Sequence, residues 1–153
     1  MIITLALLIG IVAGLRAMTA PAAVSWAVAF GWLDPGDGWL GLFGHAFAPW
    51  ILTLLALAEL VTDQLASTPS RKVPVQFGAR IVMGALSGAA IGVAGGTLAG
   101  GLIAGAIGAV IGTLGGAQAR GWLAARFGSD RPAALIEDAV AIVGAFLIVA
   151  ALP

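Results

Sequence analysis

The chain has no cysteine, a single histidine, and only seven basic and seven acidic residues in 153 positions. Without cysteine there is no disulfide, no thiol nucleophile and no thiolate metal site, and the redox compartment leaves no mark. The lone histidine, His45, falls among aromatic residues outside the long apolar runs. No base therefore stands ready to activate a serine such as Ser87 as a protease nucleophile. Net charge is zero and the basic residues are scattered, so the electrostatic footprint of a nucleic-acid-binding protein is missing. Charged residues make up 9% of the chain, against roughly 25% in soluble domains.

What replaces charge is hydrophobicity, at 61% of residues. A helix needs roughly 20 mainly apolar residues to cross a hydrocarbon core of about 30 Å. Several such stretches fill the chain from end to end, leaving no room for a separate soluble domain. The expectation is an all-α integral membrane protein, one transmembrane domain over residues 1–153, embedded in the lipid bilayer.

Five segments are expected. The first, Ile2 to about Trp32, would be roughly 46 Å long as one helix, too long for a single straight crossing. Gly14, Arg16, Thr19 and Pro21 cluster at its middle, and the proline kinks or breaks a helix there. It does not read as a signal peptide: no positive charge precedes the run from Ile2 to Ala13, and the apolar character resumes after Arg16. Turn residues from Leu33 to Gly38 follow, then an aromatic stretch from Trp39 to Trp50 suited to a membrane interface. Segment two spans about Pro49–Ala66, segment three Phe77–Ala94, segment four Leu98–Leu123 and segment five Ala133–Leu152. Arg71 and Lys72 lie in one polar loop, while Arg120, Arg126 and Arg131 flank another on the same side. Asp34 and Asp37 lie opposite. Five crossings and the positive-inside rule then place the N-terminus in the cytoplasm and the C-terminus outside.

Glycines recur every fourth residue at Gly84, Gly88, Gly92, Gly96 and Gly100, and again at Gly108, Gly112 and Gly116. Such spacing puts small residues on one helical face, where backbones approach closely and gain van der Waals contact that lipid does not supply. Segments three and four are expected to pack as a glycine-zipper hairpin, with each other or with a second copy. A homo-oligomer, with the dimer favoured, follows from so few helices per chain.

Six ionisable residues fall in or near apolar segments: Arg16, Glu59, Asp63, Arg80, Glu137 and Asp138. Each costs about 2.5–3.5 kcal/mol or more at a bilayer centre, so such residues face a protein interior or a water-filled cavity and mark ion or substrate sites. Glu59 and Asp63 share a helical face. Two arginines cannot neutralise four carboxylates, so some acids carry protons or hold a cation. Glu59, Asp63 and Glu137 are the metal candidates, their oxygens suiting hard ions such as sodium, magnesium, calcium or manganese. No cofactor beyond such a cation is expected. The opposing reading is a static network that only orients helices. Glu137 and Asp138 point about 100° apart, and Glu137 is the better candidate to face Glu59, with Asp138 pairing a base nearer the surface.

Ala56-Leu57-Ala58-Glu59 and Ala134-Leu135-Ile136-Glu137 match in outline, three crossings apart. That offset gives an inverted repeat of the kind secondary transporters use, although four-residue matches also arise by chance in Ala- and Leu-rich helices.

The run Gly14-Leu15-Arg16-Ala17-Met18-Thr19-Ala20-Pro21, then Glu59-Leu60-Val61-Thr62-Asp63 with the loop to Pro74, Arg80, and Arg131-Pro132-Ala133-Ala134-Leu135-Ile136-Glu137-Asp138 resembles a bacterial family of small membrane proteins, domain of unknown function 4126. The resemblance covers nearly the whole chain. It implies an integral protein of the bacterial inner membrane and no particular activity.

Three functions compete. The first is a small transporter or channel using the acid and arginine cluster to bind a cation or proton. The second is a structural or assembly protein associating through its glycines. The third is an intramembrane lipid-modifying enzyme, with Glu59 and Asp63 holding a divalent ion and Arg71 and Lys72 gripping phosphate. Catalytic residues are not assigned. A hydrated path to the acids would favour the first and a dry, packed cluster the second.

Overall fold

The computed structural model describes residues 1–36, 38–64 and 73–153, which form helices and turns with no strand. Six α-helices run in chain order: α1 (Ile2–Leu15), α2 (Thr19–Ala29), α3 (Ala48–Thr62), α4 (Pro74–Ala94), α5 (Leu98–Phe127) and α6 (Asp130–Ala150), with a 3₁₀ helix over Trp39–Gly44 before α3. Proline marks several starts. Pro74 opens α4 and Pro49 lies in the first turn of α3, where a missing N–H leaves no intrahelical bond unmade. Gly128 ends α5 with φ of 66°, a left-handed cap that glycine adopts without strain.

The long first segment is broken, at Arg16, whose φ of −140° and ψ of 109° are extended. Pro21 explains the position. In a continuous helix its ring would strike the Ala17 carbonyl, whereas in the first turn of α2 it fits. Beyond the break the chain turns back. Ile2 packs against Gly95, and Gly36 touches Val93, both at the α4–α5 end. Between them the chain has travelled to Gly14, which packs beside Gly112 and Thr113 of α5, and returned. The segment is thus a helical hairpin with its tip at Arg16–Met18, and not one bent crossing.

This corrects the expected topology. Gly31 and Trp32 line a shallow pocket with Val149, Leu152 and Pro153, so both chain ends lie at the same end of the bundle. Glycine contacts run Gly10 to Gly105 and Gly14 to Gly112, making α1 and α5 parallel, and α5 is unbroken where the first segment is interrupted, whereas the end of α3 meets the start of α6; the expected inverted repeat is therefore not shown by the helices as a set.

Around the hairpin, α1 packs on α4 and α5, while α6 closes the far side of α1 and α2. A methyl group built on Gly88 would lie 2.5 Å from the Gly101 carbonyl oxygen, and one on Gly92 2.6 Å from that of Thr97. Only glycine allows this approach. The glycines divide between partners, however, and do not form the single ladder expected. Gly84, Gly88 and Gly92 meet Gly101 and Gly105, whereas Gly108 and Gly112 meet Leu7 and Ile11 of α1. Gly116 is buried in α5. Gly96 lies in the α4–α5 turn with φ of 67° and nothing near it, and Gly100 faces Thr97 and Ile3. An α-helix turns 3.6 residues at a time, so a four-residue repeat drifts around the axis and reaches two neighbours.

Three helices, α4, α5 and α6, are long and apolar enough to cross a membrane, and α1, α2 and α3 are shorter apolar helices. Leucine, isoleucine, valine and phenylalanine side chains are exposed along α3, α5 and α6, the surface expected of a bundle whose solvent is hydrocarbon. His45 lies beside Phe47 at 5.8 Å.

Candidate functional site at the hairpin tip

A helix interruption leaves carbonyls free on one side and N–H groups free on the other, and inside a membrane each unsatisfied group costs several kcal/mol. Here both sets have partners from other helices. Arg80 of α4 donates through Nη1 to the carbonyls of Gly14 at 3.0 Å and Leu15 at 2.6 Å. Thr113 Oγ1 is 3.2 Å from the same Gly14 oxygen. On the other side, the Glu59 carboxylate accepts from Ala17 N–H at Oε1 and Met18 N–H at Oε2, each at 2.8 Å. The cation thus meets the negative end of α1 and the anion the positive end of α2, the favourable sense for both helix dipoles.

The residue at the break joins the same cluster. Arg16 is fully buried, donates through Nε to Asp138 Oδ1 at 2.6 Å, and pairs through Nη1 with Asp63 Oδ2. Arg80 Nη2 lies 3.4 Å from Glu59 Oε1 and 3.9 Å from Asp63 Oδ2. Gln64 Nε2 donates to Asp138 Oδ2 at 3.4 Å. Four sequence elements therefore converge on one polar knot: the hairpin tip, the end of α3, the start of α4 and the first half of α6.

Five of the six ionisable residues singled out in the sequence meet directly. Among the described residues the sixth, Glu137, is placed beside Arg120 instead. Its Oε2 lies 3.6 Å from Arg120 Nη1, and it is Asp138 that meets the tip, the reverse of the expected assignment. Helical rotation between adjacent positions allows only one of them to face Arg16, and the tip lies on the Asp138 side. Arg120 was expected to be a loop-flanking charge. Instead α5 continues seven residues past it to Phe127, and it donates to the Asp63 carbonyl at 3.5 Å and to Asp130 at 2.6 Å. It supplies a third arginine and brings Asp130 with it, so the excess of acids over bases stays the same. Its position inside an unbroken apolar stretch was the available signal. The backbone N–H groups of Ala17 and Met18 carry no sequence signal at all.

Among the described residues, no three histidine or acidic side chains gather as a metal site. The candidates Glu59 and Asp63 are turned toward arginines and backbone N–H groups, and Glu137 toward Arg120. Arg71 and Lys72, the candidate phosphate grips, and Asp37 lie outside the described residues.

Accessibility divides the knot. Arg16 and Arg80 side chains are 0% and 2% exposed, whereas Glu59, Asp63 and Asp138 keep 14%, 15% and 12%. The carboxylates are therefore the more accessible members of the knot. Three helices long and apolar enough to cross a membrane, with paired charges gathered at a helix break, fit the class of helical membrane proteins. Comparisons with protein-family models, curated proteins and solved structures return no match.

Proposed function

We propose that the protein is a small membrane transporter, with the carboxylates at the hairpin tip binding a proton or cation during the transport cycle. The observation that carries this reading is the interrupted helix with both ends held by ionisable side chains from other helices. Secondary transporters build their sites from broken helices whose ends point at charged groups. Glu59 is the pivotal residue. As a carboxylate it accepts both N–H bonds, and a protonated carboxyl group loses acceptor capacity at its O–H oxygen, so protonation loosens α3 from the hairpin tip. Arg80 from α4, Arg16 from the tip, Asp63 from α3 itself and Asp138 from α6 set the field in which that proton binds.

In this reading α3 to α6 cross the bilayer of a bacterial inner membrane and α1–α2 enters from one side and returns. The end carrying Arg120, Arg126 and Arg131 faces the cytoplasm by the positive-inside rule. Both termini are then outside, which replaces the cytoplasmic N-terminus expected from five crossings. The glycine contacts of α4 and α5 act as a glycine zipper that keeps the scaffold rigid around the moving helix. The resemblance to domain of unknown function 4126 fits this assignment, and a homodimer would widen the enclosed path.

The test is proton and cation flux into liposomes, comparing the wild type with Glu59→Gln and Asp63→Asn. Gradient-driven flux lost in Glu59→Gln, with the protein still folded, supports the proposal. Absence of flux under every gradient removes it and leaves the second reading, a static scaffold, which the close pairing of the buried charges favours.

A further inference from the structure

α5 is longer than the helix it packs against. It runs antiparallel to α4, since Gly84, Gly88 and Gly92 meet Gly105, Gly101 and the Thr97 carbonyl in turn. α4 has 21 residues and α5 has 30. At 1.5 Å per residue α4 is about 31 Å long, matched to a hydrocarbon core of about 30 Å, whereas α5 is about 45 Å. The two share a turn at one end, so the excess of about 14 Å lies at the other, in the last turns before Phe127. A helix that outruns the core by this much enters the head-group layer. The overhang carries Arg120, Trp122, Arg126 and Phe127, and Arg131 follows in the first turn of α6.

The arginines of the overhang divide by partner. Arg120 turns to Asp130 and Glu137, so the acid beside Arg131 in sequence is already paired. Arg126 and Arg131 are exposed, and neither has a carboxylate partner among the described residues. Trp122 and Phe127 are exposed as well, and the Arg126 guanidinium lies 5.6 Å from the centre of the Trp122 ring. A guanidinium over a ring keeps its N–H edge for another acceptor. The opposite end of the bundle differs: residues 30–50, 95–97 and 150–153 contain no lysine or arginine. Guanidinium groups take phosphate oxygens through paired N–H bonds, and tryptophan settles at the boundary between head groups and acyl chains. A zwitterionic lipid brings its own cation, whereas an anionic lipid leaves its phosphate charge for the protein to meet. We infer that the α5 overhang binds the head group of an anionic phospholipid, with Arg126 and Arg131 as its counter-charges and Trp122 and Phe127 against the upper acyl chain. The inference rests on α5 crossing a bilayer and is independent of transport.

Trp122 itself reports on the site. The other four tryptophans, Trp26, Trp32, Trp39 and Trp50, belong to α2, the connection after it and the start of α3. The full-length protein is reconstituted in phosphatidylcholine vesicles, a rising fraction of which is replaced by brominated phosphatidylglycerol or brominated phosphatidylcholine. The Trp122 signal is the difference between each protein and its own Trp122→Phe partner. Preferential quenching by the phosphatidylglycerol is expected, by about fivefold or more over phosphatidylcholine at low salt. Arg126→Gln combined with Arg131→Gln should bring the ratio close to one, and lysine at both positions should restore most of it, because charge dominates attraction to an anionic lipid. Both side chains are exposed, and circular dichroism checks that the variants fold. Equal quenching by the two lipids overturns the inference and leaves the arginines as topology determinants. A preference that survives the double substitution overturns it too, placing the lipid on other bases. So does a preference abolished by inorganic phosphate at constant ionic strength, which assigns the arginines to a soluble phosphate.

Discussion

Arg80 and Glu59, with Nη2 and Oε1 3.4 Å apart, hold opposite sides of one helix break. Arg80 takes the carbonyls that α1 leaves free, and Glu59 takes the N–H groups that precede α2. The pair touches itself while each member satisfies backbone, so the break and the ion pair stabilise one another. Four consequences can be measured.

Glu59→Ala removes the acceptor of two N–H groups in a water-poor setting. Each orphaned donor costs about 1–3 kcal/mol, so the melting temperature in detergent should fall clearly. Glu59→Gln, which retains one acceptor oxygen, should fall less. Equal stability of all three proteins would show that the bonds contribute nothing.

Arg80→Leu strips the partner from a buried carboxylate and two carbonyls together. Breaking a buried pair from one side costs about 3–5 kcal/mol, and this is the most damaging single change expected in the knot. Arg80→Lys keeps the charge but cannot present the planar fork, so an intermediate loss is expected. Chemical denaturation in mixed micelles measures both.

Gly105→Ala should separate α4 from α5, because a methyl group there meets the Gly84 carbonyl. Gly115→Ala is the control: it is on the same helix with nothing within 4 Å, and replacing a mid-helix glycine gains about 0.5–1 kcal/mol. Opposite signs in a thermal shift assay confirm the packing, and two neutral results refute it.

The absence of cysteine makes single-cysteine labelling clean. Cysteines placed at Ile3 and Leu152 should react with a membrane-impermeant reagent from one side of the bilayer, and one at Ser129 from the other. Labelling of Ile3 and Leu152 from opposite sides would restore the odd number of crossings.

Much of this was legible in the sequence. Apolar runs located every helix, and the cluster of Gly14, Arg16 and Pro21 located the break. Charges at costly positions picked five of the residues that meet. Direction was not legible, because a broken helix can bend onward or turn back, and only packing against α4 and α5 decides between them. The same limit explains the reversal of Glu137 and Asp138, since which neighbour faces the tip depends on the rotation of α6. The backbone partners of Glu59 were invisible because N–H groups carry no sequence signal, and Arg120, although inside the expected segment four, was read only as a charge flanking the loop.

The central claim is that Glu59 is a protonable latch between α3 and the hairpin tip, and the most direct measurement is a spin-label distance between α3 and α6. Labels at Val61 and Leu135, 66% and 61% exposed on α3 and α6, report on that separation. With the Glu59 carboxylate accepting both N–H groups the latch is closed, and loss of that acceptor releases it. The distance distribution in liposomes should therefore be longer in Glu59→Gln than in the wild type. Identical distributions in the two proteins would contradict the latch.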